Sequence, residues 1–140
     1  MGRARGTAGW AMSERMRIGD LAERAEVTPR TIRYYESIGL LPPGEREGQG
    51  QHYYTGKTLD RLRKIDQLKQ LGLSLDEIRE VIDLYFSDPS GLQPKQQVLA
   101  ILRRHLTETD QKIAALQHFR ADVRTHIERF ERWFEETNQR

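Results

Sequence analysis

The sequence predicts an all-α protein carrying one small β-hairpin, and three observations predict it. Apolar residues recur at helical rather than alternating spacing along most of the chain. A single polar, glycine-rich stretch, "GEREGQGQHYYT" at 44–55, ends in paired aromatics as a hairpin does. From Pro94 onward the chain contains no further Gly or Pro, which leaves one long uninterrupted helix. With 36% hydrophobic and 31% charged residues, there is enough apolar surface for helices that each bury one stripe, and too little for a thick globule.

The elements follow in order. Ile18, Leu21, Ala22 and Ala25 stand at helical spacing, so a first short helix runs from about Asp20 to Ala25 before "EVTP" breaks it. Thr28 caps a second helix over 29–38, Pro29 occupies its first position where a missing N–H costs nothing, and Gly39 supplies a left-handed exit. Within that helix Ile32 and Tyr35 share one face, Thr31 and Tyr34 another, with Arg30 and Arg33 nearby, so that one tyrosine is free to be core while the other faces out. Two short helices joined by a tight turn form a helix-turn-helix unit, and the glycine-rich hairpin after Pro42 and Pro43 is its wing. A third helix begins at Thr55 or Thr58 and carries Leu59, Leu62, Ile65, Leu68 and Leu71 up to Gly72. "SLDE", Ser74 to Glu77, is a capping box that opens a fourth helix burying Leu75, Ile78, Val81 and Ile82.

In the last third, Leu99, Leu102, Leu106, Thr109, Ile113, Leu116, Arg120, Val123, Ile127, Phe130 and Phe134 advance by alternating threes and fours for five heptads. That is a coiled-coil seam, with Thr109 and Arg120 as polar positions that fix register at a cost in stability. A helix of roughly 40 residues, about 60 Å long, cannot bury such a stripe against so small a head, so it is expected to pair with a second copy of itself. The expected organisation is an N-terminal arm over 1–15, a winged helix-turn-helix head over 16–86, a linker over 87–93 and a coiled-coil dimerisation helix with a short tail over 94–140.

Composition narrows the function. There is no cysteine, which excludes disulfides, thiolate metal sites, iron–sulfur clusters and cysteine nucleophiles. Residues 1–15 hold three Arg and one Glu and lack an apolar run, so they read as a basic arm, or as leader sequence upstream of a start at Met12 or Met16, rather than as a signal peptide; no stretch suits a membrane span. Residues 16–72 hold ten Lys/Arg against eight Asp/Glu, whereas 73–140 hold ten against twelve, so the N-terminal half is the basic half, a small bias whose direction fits phosphate contact at that end. No nucleophile–base or carboxylate pair converges on a catalytic site, and no cofactor is expected. His118, Asp122 and His126 lie on one helical face at ligand-like spacing, but at outward heptad positions that more often carry solvated charge, so no metal site is assigned.

The run from Met16 to Tyr85, "MRIGDLAERAEVTPRTIRYYESIGLLPP", then "HYYT", then "LRKIDQLKQLGLSLDEIREVIDLY", resembles the DNA-binding head of the MerR family of bacterial transcription regulators. The resemblance covers about half the chain and joins several motifs in order. It implies a cytoplasmic homodimer, joined by an antiparallel coiled coil, that binds a palindromic double-stranded promoter element and bends and untwists it for RNA polymerase. It further implies that Thr31, Arg33 and Tyr34 face DNA, with Arg33 in the major groove, Tyr34 on phosphate or sugar, and Arg30 on phosphate. Arginine suits these roles because its planar fork meets either guanine O6 and N7 or two phosphate oxygens. In the wing, where the family often reads Gly-Tyr-Arg-Tyr-Tyr, this sequence reads Gly50-Gln51-His52-Tyr53-Tyr54. His52 in place of arginine, largely neutral near pH 7, implies a weaker or pH-dependent phosphate clamp, part of which falls to Arg46 and Tyr53. The expected dimer contacts are Leu99, Leu102, Leu106, Ile113, Leu116, Val123, Ile127 and Phe130.

Other readings stand beside this one. Lys57, Arg61, Arg63 and Lys64 on the third helix either touch phosphate or pair with Asp60 and Asp66. Tyr85, Phe86, Phe119, Phe130, Trp133 and Phe134 either pack or line a small-molecule effector pocket at the junction of coiled coil and head. A coiled-coil adaptor with a degenerate head is the reading that DNA binding would exclude.

Overall fold

The computed structural model describes residues 14–139, so the expected arm lies outside the described residues except for Glu14 and Arg15. The described residues form α1 (Ile18–Ala25), α2 (Pro29–Ser37), β1 (Glu45–Arg46), β2 (His52–Tyr53), α3 (Gly56–Gln70), α4 (Leu75–Ser87) and α5 (Leu92–Asn138). The chain divides into two compact units with the boundary between Val98 and Leu99, inside α5. In the first unit α1 packs on α2, and α3 packs on both α1 and α4.

Local chemistry accounts for most of these limits. The Thr28 side chain accepts a hydrogen bond from the Thr31 N–H at 3.0 Å, with Pro29 in the first turn of α2. Gly39 leaves that helix at φ +79°, and the Leu40 and Leu41 N–H groups then donate to the Tyr35 carbonyl. Both arms of the Ser74 capping box form: Glu77 N–H to Ser74 Oγ at 3.2 Å, and Ser74 N–H to Glu77 Oε1 at 2.9 Å. Helix α1 starts at Ile18, two residues before the expected Asp20, and exits through Glu26 in the left-handed region at φ 59°. Helix α5 starts at Leu92, which places Pro94 in its first turn, where no intrahelical partner is lost. Only residues 88–91 remain between α4 and α5, tied down by the Asp88 carboxylate, which accepts from Ser90 N–H at 3.0 Å and Gln93 N–H at 2.8 Å. Those two bonds and the Ser90 hydroxyl, with the Gln93 N–H foremost, hold the Asp88 carboxyl below its usual pKa.

The core of the head comprises Leu21, Ile32, Tyr35, Leu40, Leu41, Leu59, Leu62, Ile65, Leu68, Ile78, Val81 and Ile82, all buried. Leu71, expected on the buried stripe of α3, is instead 52% exposed. Leu71 stands one residue past the end of α3, at its C-cap, where the chain leaves the helix through Gly72 at φ +98°. In the second unit the heptad stripe faces outward: Leu106, Ile113, Leu116, Val123, Ile127 and Phe130 are 38–67% exposed.

Candidate nucleic-acid interface

The outer face of α2 is built by the inner one. Burial of Ile32 and Tyr35 fixes the helix rotation, and that rotation leaves Arg30, Arg33, Tyr34 and Ser37 exposed, with Thr31 half-buried beside its cap. Thr31 Oγ1 lies 3.0 Å from Thr28 Oγ1, so this side chain shares the cap rather than standing free. Among the described residues, no carboxylate forms an ion pair with Arg30 or Arg33. The chain after α2 is clamped from two sides. Arg79 of α4 donates to the Ile38 carbonyl at 2.6 Å and pairs with Asp76 at 2.8 Å, and Arg61 of α3 donates to the Leu40 carbonyl at 2.8 Å.

The wing is an antiparallel ribbon in which Glu45 faces Tyr53 and Arg46 faces His52. The connection between the strands turns through Gly48 at φ +62°, and the Gly50 N–H donates to the Glu47 carbonyl at 2.8 Å. Arg46 and His52 are exposed and Tyr53 is half-buried. A third segment, which the sequence did not announce, joins the ribbon: Met16 bridges Tyr54 through N–H···O bonds of 2.7 and 2.8 Å in both directions. Arg15 then stacks over the Tyr53 ring at 4.3 Å and pairs with Glu47, while Arg17 donates to the His52 carbonyl at 3.2 Å.

Wing and helix meet through Tyr54 and Glu36. Glu36 Oε2 accepts from the Tyr54 hydroxyl at 2.8 Å and from the Gly44 N–H at 3.0 Å. Burial first, and the Glu36 carboxylate second, push the Tyr54 hydroxyl up to about 12, so it keeps its proton and donates at any neutral pH. Gly44 is required by proximity: a Cβ there would stand 2.8 Å from Tyr54 Cζ and 3.0 Å from His52 Cβ. Between α2, the wing and the start of α1 lies an open groove of about 590 Å³ lined by Arg17, Arg33, Glu36, Gln51, His52 and Tyr54. Three basic residues, two of them permanently charged, line a groove of a size that admits a phosphate.

The third-helix cations are placed differently from one another. Arg61 is largely buried and pairs with Asp83 at 2.8 Å, not with Asp60 or Asp66; Asp66 accepts from Gln70 instead. The reason is distance along the core: Arg61 reaches across to α4, and its second bond closes the loop after α2. Lys64 sits over the Tyr85 ring at 4.4 Å, and Lys57 is exposed. Tyr85 and Phe86 belong to the first unit, and Phe119, Phe130, Trp133 and Phe134 to the second, where the Trp133 and Phe134 rings meet edge to face at 4.9 Å. His118 and Asp122 approach to 3.6 Å on the exposed face of α5. Among the described residues, no three His, Asp or Glu side chains are grouped to hold a metal, and no helix is long and apolar enough to cross a membrane.

Residues 16–84 match the MerR HTH regulatory family, and 59–126 match the MerR DNA-binding family. The HTH-type transcriptional regulator ZntR of Escherichia coli (strain K12) is 42% identical over 101 residues, spanning 72% of this chain and 70% of ZntR. This chain belongs to the MerR family. It is a DNA-binding transcriptional regulator and not an enzyme. The MerR fold is found again in the lead(II) complex of the transcription regulator PbrR691 from Ralstonia metallidurans CH34, with a TM-score of 0.66, 29% identity, and coverage of 78% of this chain and 85% of that one. EcmrR, solved as a DNA complex, matches with a TM-score of 0.51 and 25% identity over 74% of this chain and 38% of its own. The MerR resemblance of the Met16–Tyr85 run is thus the family identity of the chain.

Proposed function

We propose that two copies of this MerR regulator associate through the α5 stripe and place two α2 helices on the half-sites of a palindromic promoter element in the bacterial cytoplasm, distorting it to control RNA polymerase. The observation that carries this reading is the exposed Arg30–Arg33–Tyr34 face of α2 beside a groove walled by Arg17 and His52. Arg33 reads base edges, Thr31 and Tyr34 flank it, Arg30 binds phosphate, and Arg46, His52 and Tyr53 hold the backbone from the wing. Bending and untwisting the duplex costs a few kcal/mol, offset by contacts from two heads that a straight duplex would not meet together. The leucines, isoleucines, valine and phenylalanine of the stripe in the second unit are half-exposed in the single chain and share one helical face, which supports pairing of that face with a second copy. With no cysteine in the chain, any effector must be recognised without thiolate ligands.

The test is binding of the full chain to duplexes taken from upstream of its own gene, followed by fluorescence anisotropy across a salt series. The expected result is tight binding whose logarithm falls linearly with log salt, with a footprint of two related half-sites. Indifference to those duplexes at low ionic strength would remove the proposal. A smaller test isolates the wing: His52→Arg is expected to tighten binding and to steepen the salt slope by about 0.9 for each added phosphate contact. An unchanged slope would show that position 52 lies away from the backbone.

A further inference from the structure

We infer that Glu36 is a positioning residue for DNA recognition: its carboxylate locks the recognition helix to the wing and so sets the distance between the base-reading and phosphate-holding groups. This rests on the α2–wing interface proposed above.

The argument begins with charge. Glu36 is a carboxylate lining the groove that Arg17, Arg33 and His52 wall, where a phosphate would run. On charge alone it opposes binding, so any contribution it makes there is geometric. Its geometry is specific. One oxygen, Oε2, takes both the Tyr54 hydroxyl at 2.8 Å and the Gly44 N–H at 3.0 Å, and those two residues flank the hairpin at its base. Gly44 precedes β1 and Tyr54 follows β2, so a single side chain from α2 holds both legs of the wing. Glu36 stands one helical turn beyond Arg33 on α2.

Tyr54 is fixed on every side. Its backbone N–H and carbonyl are both bonded to Met16, its ring lies where a Cβ on Gly44 would be, and its hydroxyl points to Glu36. The wing strands are only two residues each and carry few ladder bonds of their own. A ribbon that short does not hold a fixed angle to a neighbouring helix unaided; Met16, Arg15 and Arg17 tie it to the segment before α1, and the Glu36 bonds tie it to α2. Two charge-assisted hydrogen bonds in a half-buried setting are strong enough to do so.

The experiment compares Tyr54→Phe, Glu36→Gln and Glu36→Ala in the full chain, on a duplex from upstream of its own gene. Affinity, salt slope and melting temperature are measured together. Tyr54→Phe keeps the ring and deletes only the hydroxyl; it is expected to weaken binding about tenfold and to flatten the salt slope by about 0.9, one phosphate contact, while the head stays folded. Glu36→Gln retains an amide oxygen that can accept both donors, and is expected to keep the slope of the unaltered chain. Glu36→Ala is expected to behave like Tyr54→Phe or worse. Tyr54→Phe binding with the affinity and slope of the unaltered chain would overturn the inference, as would a loss of affinity in Tyr54→Phe with the slope unchanged. Should Glu36→Ala fail to fold, Tyr54→Phe decides alone. Arg33→Ala, run in parallel, separates the two readings: if it too leaves binding unchanged, the interface is wrong; if it abolishes specific binding while Tyr54→Phe does nothing, only the strut is.

Discussion

Arg33→Ala is expected to cost on the order of 1–3 kcal/mol in binding to a specific operator, and to relax the sequence preference at one position of each half-site. Arg33 is exposed on α2, no carboxylate among the described residues neutralises it, and it lies at the lip of the groove shared with the wing. Truncation removes a fork of donors without touching the core, because Ile32 and Tyr35 carry the packing of that helix. The loss should therefore appear as lower affinity at an unchanged melting temperature. Arg30→Ala gives the contrast, since a phosphate contact weakens binding to all sequences alike and lowers the salt slope by about one. If Arg33→Ala matched the unaltered chain on its own promoter by gel shift, the recognition helix would have to be assigned elsewhere.

Replacing Leu106 and Ile113 together by glutamate is expected to convert dimers into monomers by sedimentation. Leu106 is 62% and Ile113 48% exposed in the single chain, so neither substitution removes a contact that the head needs in order to fold. In a paired seam each is buried, and losing a buried Leu or Ile costs about 2–5 kcal/mol, felt by both chains. Burying a carboxylate in its place adds a desolvation penalty of several kcal/mol more. That total exceeds what a zipper with polar Thr109 and Arg120 in its stripe can absorb. Specific DNA affinity should fall with it, because a lone head meets one half-site. Dimers that persist through both changes would mean the stripe faces something other than its own copy.

The signals that could be read directly from sequence were local ones. A capping threonine before a proline, a serine three residues before a glutamate and a glycine after an isoleucine each act within one helical turn, and each produced the helix limit it implied at Thr28, Ser74 and Gly39. Periodicity put Ile32 with Tyr35 on one face and Thr31 with Tyr34 on another, the family resemblance chose Tyr34 as the outward tyrosine, and the structure buries Tyr35 and exposes Tyr34. What periodicity could not do was mark where the buried stripe ends: Leu71 falls at the C-cap of α3 and is exposed there.

Contacts between segments distant in sequence were silent. Glu36 and Tyr54 are eighteen residues apart, Met16 and Tyr54 thirty-eight, and nothing in the local pattern of either marks a partner. Arginines illustrate the point. Arg33, Arg61 and Arg79 look alike along the chain, yet Arg61 and Arg79 are spent on closing the loop after α2, while Arg33 is left facing out. The sequence alone determined which segments are helices, where the capped ends at Thr28, Gly39 and Ser74 fall, which face of each is apolar and that an apolar heptad stripe runs through the last third, because caps and periods are chemistry within a turn. The tertiary structure alone decided which charges are consumed by packing and which stay available, and how the wing is tied to α2, because a long side chain chooses its partner only after the backbone has brought distant segments within a few ångströms.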